Sequence, residues 1–586
     1  MPKTMKPVNA VTVGVGWTGG IIARELTKAG LTVVGLERGD YRATNPDFLT
    51  PGVHDELGYY QRQKLFQNAA RDTYSFRNNV RETALPIRQL GSFLPGDGLG
   101  GAGVHWTGLT WRYLETEFNL RTHYTQKYGA AIFGEDCTSA DWGLSYHELE
   151  PYYDRFEYLA GISGKAGNLN GKKIPGGNVF EGPRKRDYPT PPQKTSHTME
   201  LFRKVATDQG YHVFPTPSAN LSQPYKNTEG IQMGACAYCG YCQRFSCEMS
   251  AKSSLQTALL PVLLKEPNYE LRCNSKVLKV NLDSSGKKAV GVTYLDSTGA
   301  EVFQPADMVF VTAFSLNNVH LLLLSGIGKP YDPATGTGVV GRNYTYQAGT
   351  GAQMYFEGQH FNPFMGSGSL GLTFDDWNGD NFDHTGLNFV GGVIASSGQG
   401  GQAPINYHPV PPGTPRWGST WKAAAAATFN NNFGIGASGS VQAYRGNYLD
   451  LDPTYTNVYG QPLMRMTFDW GPHEYNHSAY IAKKLETVVK AFNPKSYAIS
   501  QVNGHYSVVP YQSTHNTGGA IMGTDPSKSV VNTYQQVWDV PNVFSVGASS
   551  IPQNPAYNPT GTVGALAYRT VEAVVNRFVK NPGLLG

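Results

Sequence analysis

The sequence predicts a mixed α/β (α+β) chain: a Rossmann-like βαβ fold with an antiparallel-sheet domain set into it. Three observations predict it. Residues Val11–Arg38 read VTVGVGWTGGIIARELTKAGLTVVGLER, which is strand, glycine turn, helix, strand and acid. Strand-like runs near residues 308 and 543 return to that unit. From Tyr344 to about Leu451 the composition shifts to Gly, Asn, Phe, Tyr and Trp in short alternating runs such as TGLNFVGGVIA. That is the pattern of an antiparallel sheet that walls a polar pocket.

In the first unit, Val11–Val15 is a short β-branched run and hence a strand. Gly14, Gly16 and Gly19 fall in Gly-x-Gly-x-x-Gly spacing. Ile21–Ala29 has helical periodicity, and Gly30 is its C-terminal stop. Leu31–Leu36 is a second apolar run ending at Glu37. Such glycines let the backbone approach a pyrophosphate seated on the helix N-terminus, and the acid takes the adenosine ribose hydroxyls. With strands and acid in register, the pattern specifies dinucleotide binding; the glycine spacing alone would not.

Gly39–Leu90 is polar and aromatic with few strand signals. Gly91–Arg112, GSFLPGDGLGGAGVHWTGLTWR, places glycines at 98, 100, 101 and 103 just before His105-Trp106. It reads as a second loop against the cofactor. DWGLSYHELEPYYDRFE, from Asp141, is a turn into an acidic, aromatic helix, and Lys165–Pro192 is a surface excursion. Leu255–Leu264 reads as a helix, Tyr269–Phe303 as paired strands turning at 284–287, and Met308–Ala313 as a buried strand. Leu316–Ser325 is a short helix stopped by Gly326, and His473–Phe492 is another helix. Thr562–Lys580 carries Val563, Leu566, Val571, Val574 and Phe578 at helical spacing, a buried closing helix. The expected cofactor domain is therefore discontinuous: 8–40, 85–112, 228–345 with the cysteine segment 234–250, and 505–586. The substrate domain takes 113–227 and 346–504.

Forty-eight basic against 44 acidic residues give a net charge of +4, which is no nucleic-acid footprint. No apolar run is long enough for a transmembrane helix. The start, MPKTMKPVNA, runs straight into the first strand without an apolar signal core, so a partner must carry the chain if it crosses a membrane.

Four of the 6 cysteines, Cys236, Cys239, Cys242 and Cys247, lie in CAYCGYCQRFSC. Four soft ligands at C-x2-C-x2-C-x4-C spacing point to a metal, and this clustering suits an iron–sulfur cluster better than zinc or disulfides. Cys137 and Cys273 stand alone and read as ordinary buried thiols. STHNTGGAIMGTD places His515 in a small-residue loop, and NPAYNPTGTVGALAYR places Asn558 just before the last helix. That helix would turn its positive end toward a reduced flavin. HEYNH, His473 to His477, matches a zinc-peptidase motif, but no carboxylate occurs between Glu486 and Asp525 to serve as third ligand, so it reads as a chance match. No Gly-x-Ser-x-Gly elbow is present.

Taken together, VGVGWTGG, the loop with His105-Trp106, DWGLSYHELEPYYDR and the His515/Asn558 pair resemble the glucose–methanol–choline oxidoreductase family over nearly the whole chain. The cysteine insert is most similar to the flavoprotein subunits of its bacterial membrane-bound sugar and sugar-acid dehydrogenases, the gluconate 2-dehydrogenase branch above all. The resemblance implies FAD, with Gly14, Gly16, Gly19, Glu37, Gly100, Gly101, His105, Val277 and Thr562 as contacts, His105 being where some members attach it covalently. It implies His515 as catalytic base with Asn558 as partner, and a 3Fe-4S cluster on the cysteines; their spacing favours Cys236, Cys242 and Cys247 over Cys239. Oxidation of a secondary alcohol of a sugar acid or sugar would follow: gluconate to 2-ketogluconate, or the fructose, sorbitol, glucose or 2-ketogluconate equivalent. Electrons would pass to a multihaem cytochrome c subunit and quinone, and a small subunit with a twin-arginine signal would carry the chain to the periplasmic side of the membrane. One position departs from the family pattern: GRNYTYQ has Gln347 where a histidine is usual. Two rivals stand beside this reading, an oxidase with structural zinc and an FAD-containing electron-transfer subunit without its own catalysis.

Overall fold

The computed structural model describes residues 2–49, 63–89, 91–402 and 407–586. Part of the polar Gly39–Leu90 stretch, residues 50–62 and 90, lies outside them.

The strand of the first unit spans Val8–Val13 and its helix Trp17–Lys28, so Gly14–Gly16 is all turn. Gly14 ends the strand because it sits at φ +91, which a side chain resists. The sheet built on this unit has eight strands. Tyr269–Arg272, Val33–Leu36, Val8–Val13 and Glu301–Val311 run parallel in that order, and Val543–Ser545 also joins Glu301–Val311 in parallel. The late strands therefore do return to the first unit, with Val309 opposite both Val11 and Val543. The other half of Glu301–Val311 continues into an antiparallel meander with Ala289–Leu295 and Lys276–Leu282. Val11, Val309, Phe310 and Val311 are fully buried, as an apolar run with both faces covered requires. One cover is the helix Trp17–Lys28, whose Ile21, Ile22 and Leu26 share a core with Val571, Val574 and Phe578 at the C-terminus. Each such side chain contributes about 1.5–3 kcal/mol by leaving water.

The second sheet has six antiparallel strands: Ser496–Ser500, Ala348–Tyr355, Asn432–Gly439, Val393–Gly400, Gly366–Phe374 and Phe214–Pro215. Met354, Phe374 and Ile435 on one face pack against Phe202 of the helix His197–Asp208 and Ile481 and Leu485 of the helix Pro472–Ala491. A four-stranded sheet joins Tyr448–Thr456, Pro462–Thr467, Tyr74–Arg77 and Leu85–Pro86.

Three elements differ from expectation. Leu255–Leu264 is two single turns, Leu255–Ala258 and Leu260–Leu263, because Pro261 has no N–H to extend the first. The closing helix runs from Thr560 to Ala573 and then widens to a π-turn, Val574–Phe578. Tyr74–Arg77 is a strand in a stretch with few strand signals; it forms by pairing with Met464–Thr467, far along the chain. The acidic helix forms as expected, Tyr146–Ala160, started by a reciprocal cap in which Ser145 N–H donates to Glu148 at 2.8 Å and Glu148 N–H donates to the Ser145 hydroxyl at 3.3 Å. Among the described residues no helix is long and apolar enough to cross a membrane.

Candidate active site

A cavity of about 410 Å³ runs from the glycine turn to the loop of His515. At one end its wall is Gly14, Gly16, Glu37, Gly100, Gly101 and Val277. A Cβ built on Gly16 would meet only the Gly100 carbonyl, at 3.6 Å, so that face of the turn is open to the cavity. A Cβ on Gly19 would lie 2.1 Å from the Gly14 carbonyl, so this third glycine serves helix-to-turn packing rather than the wall. The Glu37 carboxylate is buried and accepts the Val15 and Gly39 N–H groups, each at 3.0 Å, which fixes it beside the turn. Thr312, which sequence reasoning passed over, lines the same end and donates its hydroxyl to the Gly14 carbonyl at 2.7 Å.

Gly101–Val104 is a single 3-10 turn that delivers His105 to the middle of the cavity. His105 is buried against Phe66, its Nε2 has no hydrogen-bond partner, and burial followed by the charge of Lys252 pushes its pKa down to about 3. It is a neutral imidazole on the cavity wall.

The far end holds His515 and Asn558. Asn558 Nδ2 lies 3.0 Å from His515 Nε2, and Trp111 Nε1 donates to Asn558 Oδ1 at 2.9 Å. His515 Nδ1 lies 2.5 Å from Gln347 Oε1. Desolvation pushes the His515 pKa down to about 4, so the ring is neutral at physiological pH. The loop is held by paired Thr345 and Thr517 backbone bonds of 3.0 Å and by the Tyr344 hydroxyl on Asn516 at 2.6 Å. Asn558, Pro559 and Thr560 bring the first turn of the last helix to the cavity, and no side chain caps that turn. Thr562 lies off the wall: its hydroxyl sits 2.6 Å from that of Tyr153, and Thr560 and Val563 face the cavity instead. Arg244 lines this region with its guanidinium over the Tyr511 ring, 4.7 Å from the ring centre. Trp111 and Arg244 were missed in the sequence because their roles come from long-range contacts. Their only local signal was a place in the glycine loop and in the cysteine segment.

All six cysteines are free thiols. Cys242 is buried, Cys236 and Cys247 are half-buried and Cys239 is exposed. Burial pushes Cys236 up to about 11 and Cys242 up to about 12, and in both the neighbouring thiols add to the shift. Even so, among the described residues no three His, Cys, Asp or Glu side chains form a set that could hold a metal ion. Cys137 is buried and Cys273 half-buried. In HEYNH, His473 Nδ1 accepts the Val390 N–H at 3.2 Å and its Nε2 lies 3.1 Å from the Phe133 carbonyl. Glu474 accepts the Gln442 and Gly471 N–H groups, both at 2.9 Å. These side chains anchor a helix N-terminus.

The model for the N-terminal part of GMC oxidoreductases matches residues 142–348 and that for the C-terminal part matches 443–567. The chain is 50% identical to the gluconate 2-dehydrogenase flavoprotein of Pantoea cypripedii, over 99% of this chain and 95% of that one. It is 24% identical to the fructose dehydrogenase large subunit of Gluconobacter japonicus, over 97% and 98%. Pyridoxine 4-oxidase from Mesorbium loti shares its fold, with a TM-score of 0.56, 15% identity and coverage of 96% and 98%. With matches to both halves and a 50% identical relative along its length, the chain belongs to the GMC oxidoreductase family.

Proposed function

We propose that this chain oxidises a secondary alcohol of a sugar acid, gluconate to 2-ketogluconate in type. The family makes it an FAD-dependent dehydrogenase acting on CH–OH groups. The observation that carries the finer reading is the His515–Asn558 pair, 3.0 Å apart on the cavity wall, in a chain 50% identical to a gluconate dehydrogenase flavoprotein. Arg244 adds positive charge to that wall, which suits a carboxylate-bearing substrate.

The residues fit FAD. The open face of Gly16, the unpartnered Nε2 of His105 and the uncapped helix at Thr560 all face one cavity. Gly14, Gly16, Gly100 and Glu37 would hold its adenosine diphosphate part, and His105 and the Thr560 turn its ring. When bound, FAD supplies a two-electron acceptor for the carbon-bound hydrogen. The chain does the rest. His515 Nε2 takes the hydroxyl proton, while Asn558 donates an N–H to the same oxygen and fixes its direction. Desolvation keeps His515 neutral and ready.

The iron–sulfur cluster is a separate proposal. It rests on the spacing of Cys236, Cys239, Cys242 and Cys247 and on the backbone bond from Arg244 N–H to the His105 carbonyl, 2.9 Å, which joins the cysteine segment to the cofactor loop. Among the described residues the thiols do not form a metal set. A cytochrome c subunit, quinone, a signal-bearing small subunit and a periplasmic site stand on the same proposal.

The test is purified, FAD-loaded protein with an artificial acceptor dye on gluconate, 2-ketogluconate, fructose, sorbitol and glucose. Gluconate should reduce the dye fastest. Dye reduction by none of them would overturn the reading.

A further inference from the structure

We propose that Gln347 sets the tautomer and aim of His515, as a positioning residue for the base. The inference rests on the reading of His515 given above and goes beyond it, since Gln347 stands where the family pattern has a histidine.

Hydrogen-bond direction on both sides of His515 fixes the ring. Five groups form one chain from the Trp111 indole to the Ala556 carbonyl. Trp111 Nε1 is only a donor. It donates to Asn558 Oδ1 at 2.9 Å, so the amide nitrogen of Asn558 must face His515. That nitrogen is a donor, 3.0 Å from His515 Nε2, so Nε2 must carry the lone pair. At the other end the Ala556 carbonyl is only an acceptor. Gln347 Nε2 donates to it at 2.8 Å, so Gln347 Oε1 must face His515 Nδ1, at 2.5 Å. A neutral imidazole has one N–H, and Oε1 requires it at Nδ1. Both ends impose the same answer, and reversing either amide would set donor against donor or acceptor against acceptor. The ring is thus held with a bare Nε2, the form that can accept a substrate proton.

The mounting is rigid. Gln347 ends the run Tyr344-Thr345-Tyr346, in which Thr345 is bonded to Thr517 and Tyr344 holds Asn516. Gln347 is itself buried. The ionisable groups on the cavity wall near His515 are His105, Arg244 and Tyr511; Glu37, Arg38, Lys276 and His320 lie on the same wall toward the glycine turn. Burial is the cause that lowers the His515 pKa. The neutral amide of Gln347 orients the ring without adding charge. A carboxylate there would accept the same proton but favour imidazolium, and an alkyl group would leave Nδ1–H without its acceptor.

The test uses FAD-loaded Gln347→Glu and Gln347→Leu with gluconate and dye. Flavin absorption should persist in both. Gln347→Leu should lower kcat roughly 10- to 100-fold with KM within about threefold, the signature of a lost orienting contact. Gln347→Glu should turn over faster than Gln347→Leu and move the acidic limb of kcat/KM up by at least about one pH unit. Nitrogen-labelled histidine NMR reads the tautomer without turnover: His515 should show a protonated Nδ1 and an unprotonated Nε2, a preference weakened in Gln347→Leu, where Asn558 alone still imposes it. An unmoved limb in Gln347→Glu, or an unchanged tautomer in Gln347→Leu, would overturn the proposal. Should Gln347→Leu fail to fold, the near-isosteric Gln347→Glu carries the test alone. His515→Ala separates the two levels: activity surviving there sinks the base itself, whereas its loss beside an unmoved limb sinks only the role of Gln347.

Discussion

The Lys252 ammonium donates to the carbonyl of Trp106 at 2.9 Å, and the same group reaches the carbonyls of Cys242 and Phe245, both at 2.7 Å. Lys252 is 2% exposed. A buried cation with three carbonyls around it therefore fastens the cysteine segment to the loop that carries His105. Lys252→Met keeps the bulk but leaves those carbonyls without their donor. It should cost about 2–4 kcal/mol, since a charge-assisted buried bond is lost and its acceptors stay desolvated. Thermal unfolding should show the drop, and an unchanged midpoint would mean the fastening is unimportant.

Gly16→Val should abolish flavin absorption while leaving a folded chain. The built Cβ at Gly16 meets protein only at 3.6 Å, so the fold has room for it. The rest of a valine would enter the cavity beside Gly14 and Glu37. Far-ultraviolet circular dichroism close to wild type, together with colourless protein after reconstitution with FAD, is the expected pair of results. Retained yellow colour would place the pyrophosphate elsewhere.

His515→Ala should retain FAD and cut turnover by roughly two to four orders of magnitude, the usual worth of a general base. Asn558→Ala should cost less, because it aims the oxygen but takes no proton. The pH dependence has a definite sign. Desolvation lowers the His515 pKa to about 4, so the active, neutral ring persists as pH falls below the usual imidazole value near 6.5. In wild type kcat/KM should stay level through pH 6 and fall only as pH approaches 4. A fall centred near 6.5 would mean that the site is wetter than its burial indicates.

What the sequence showed and what it hid follow one rule. The Val8–Leu36 unit was legible because its strands, glycines and acid interact within about 30 residues, where spacing encodes geometry. The pair His515 and Asn558 was legible through resemblance. Pro261 broke a helix that apolar spacing alone had joined; the proline was in plain sight and its missing N–H was the signal. Tyr74–Arg77 and Trp111 were hidden for another reason. Their roles depend on partners nearly 400 residues or more away, Met464–Thr467 and Asn558, which no local pattern encodes. Gln347 was visible as a departure from pattern, but its meaning needed the Ala556 carbonyl and the His515 ring in one frame.

Iron content should sort the cysteines by burial. Cys242 is buried, backed at 3.8 Å by the Asn220 side-chain oxygen, and its main chain is tied to Lys252. Cys239 is exposed, in an isolated β-bridge with Gly366, and its next residue, Gly240, donates its N–H to the Gly366 carbonyl at 2.9 Å. A cluster shielded from solvent would therefore take Cys236, Cys242 and Cys247 and leave Cys239 outside. Cys242→Ser should lose iron and acid-labile sulfide, and Cys239→Ser should keep both. Gluconate should still bleach the flavin of the first variant, because His515 and Asn558 are untouched. Zinc in place of iron would remove the cluster proposal. Loss of flavin bleaching as well would instead give the segment a structural role, exerted through the Arg244–His105 and Lys252–Trp106 bonds.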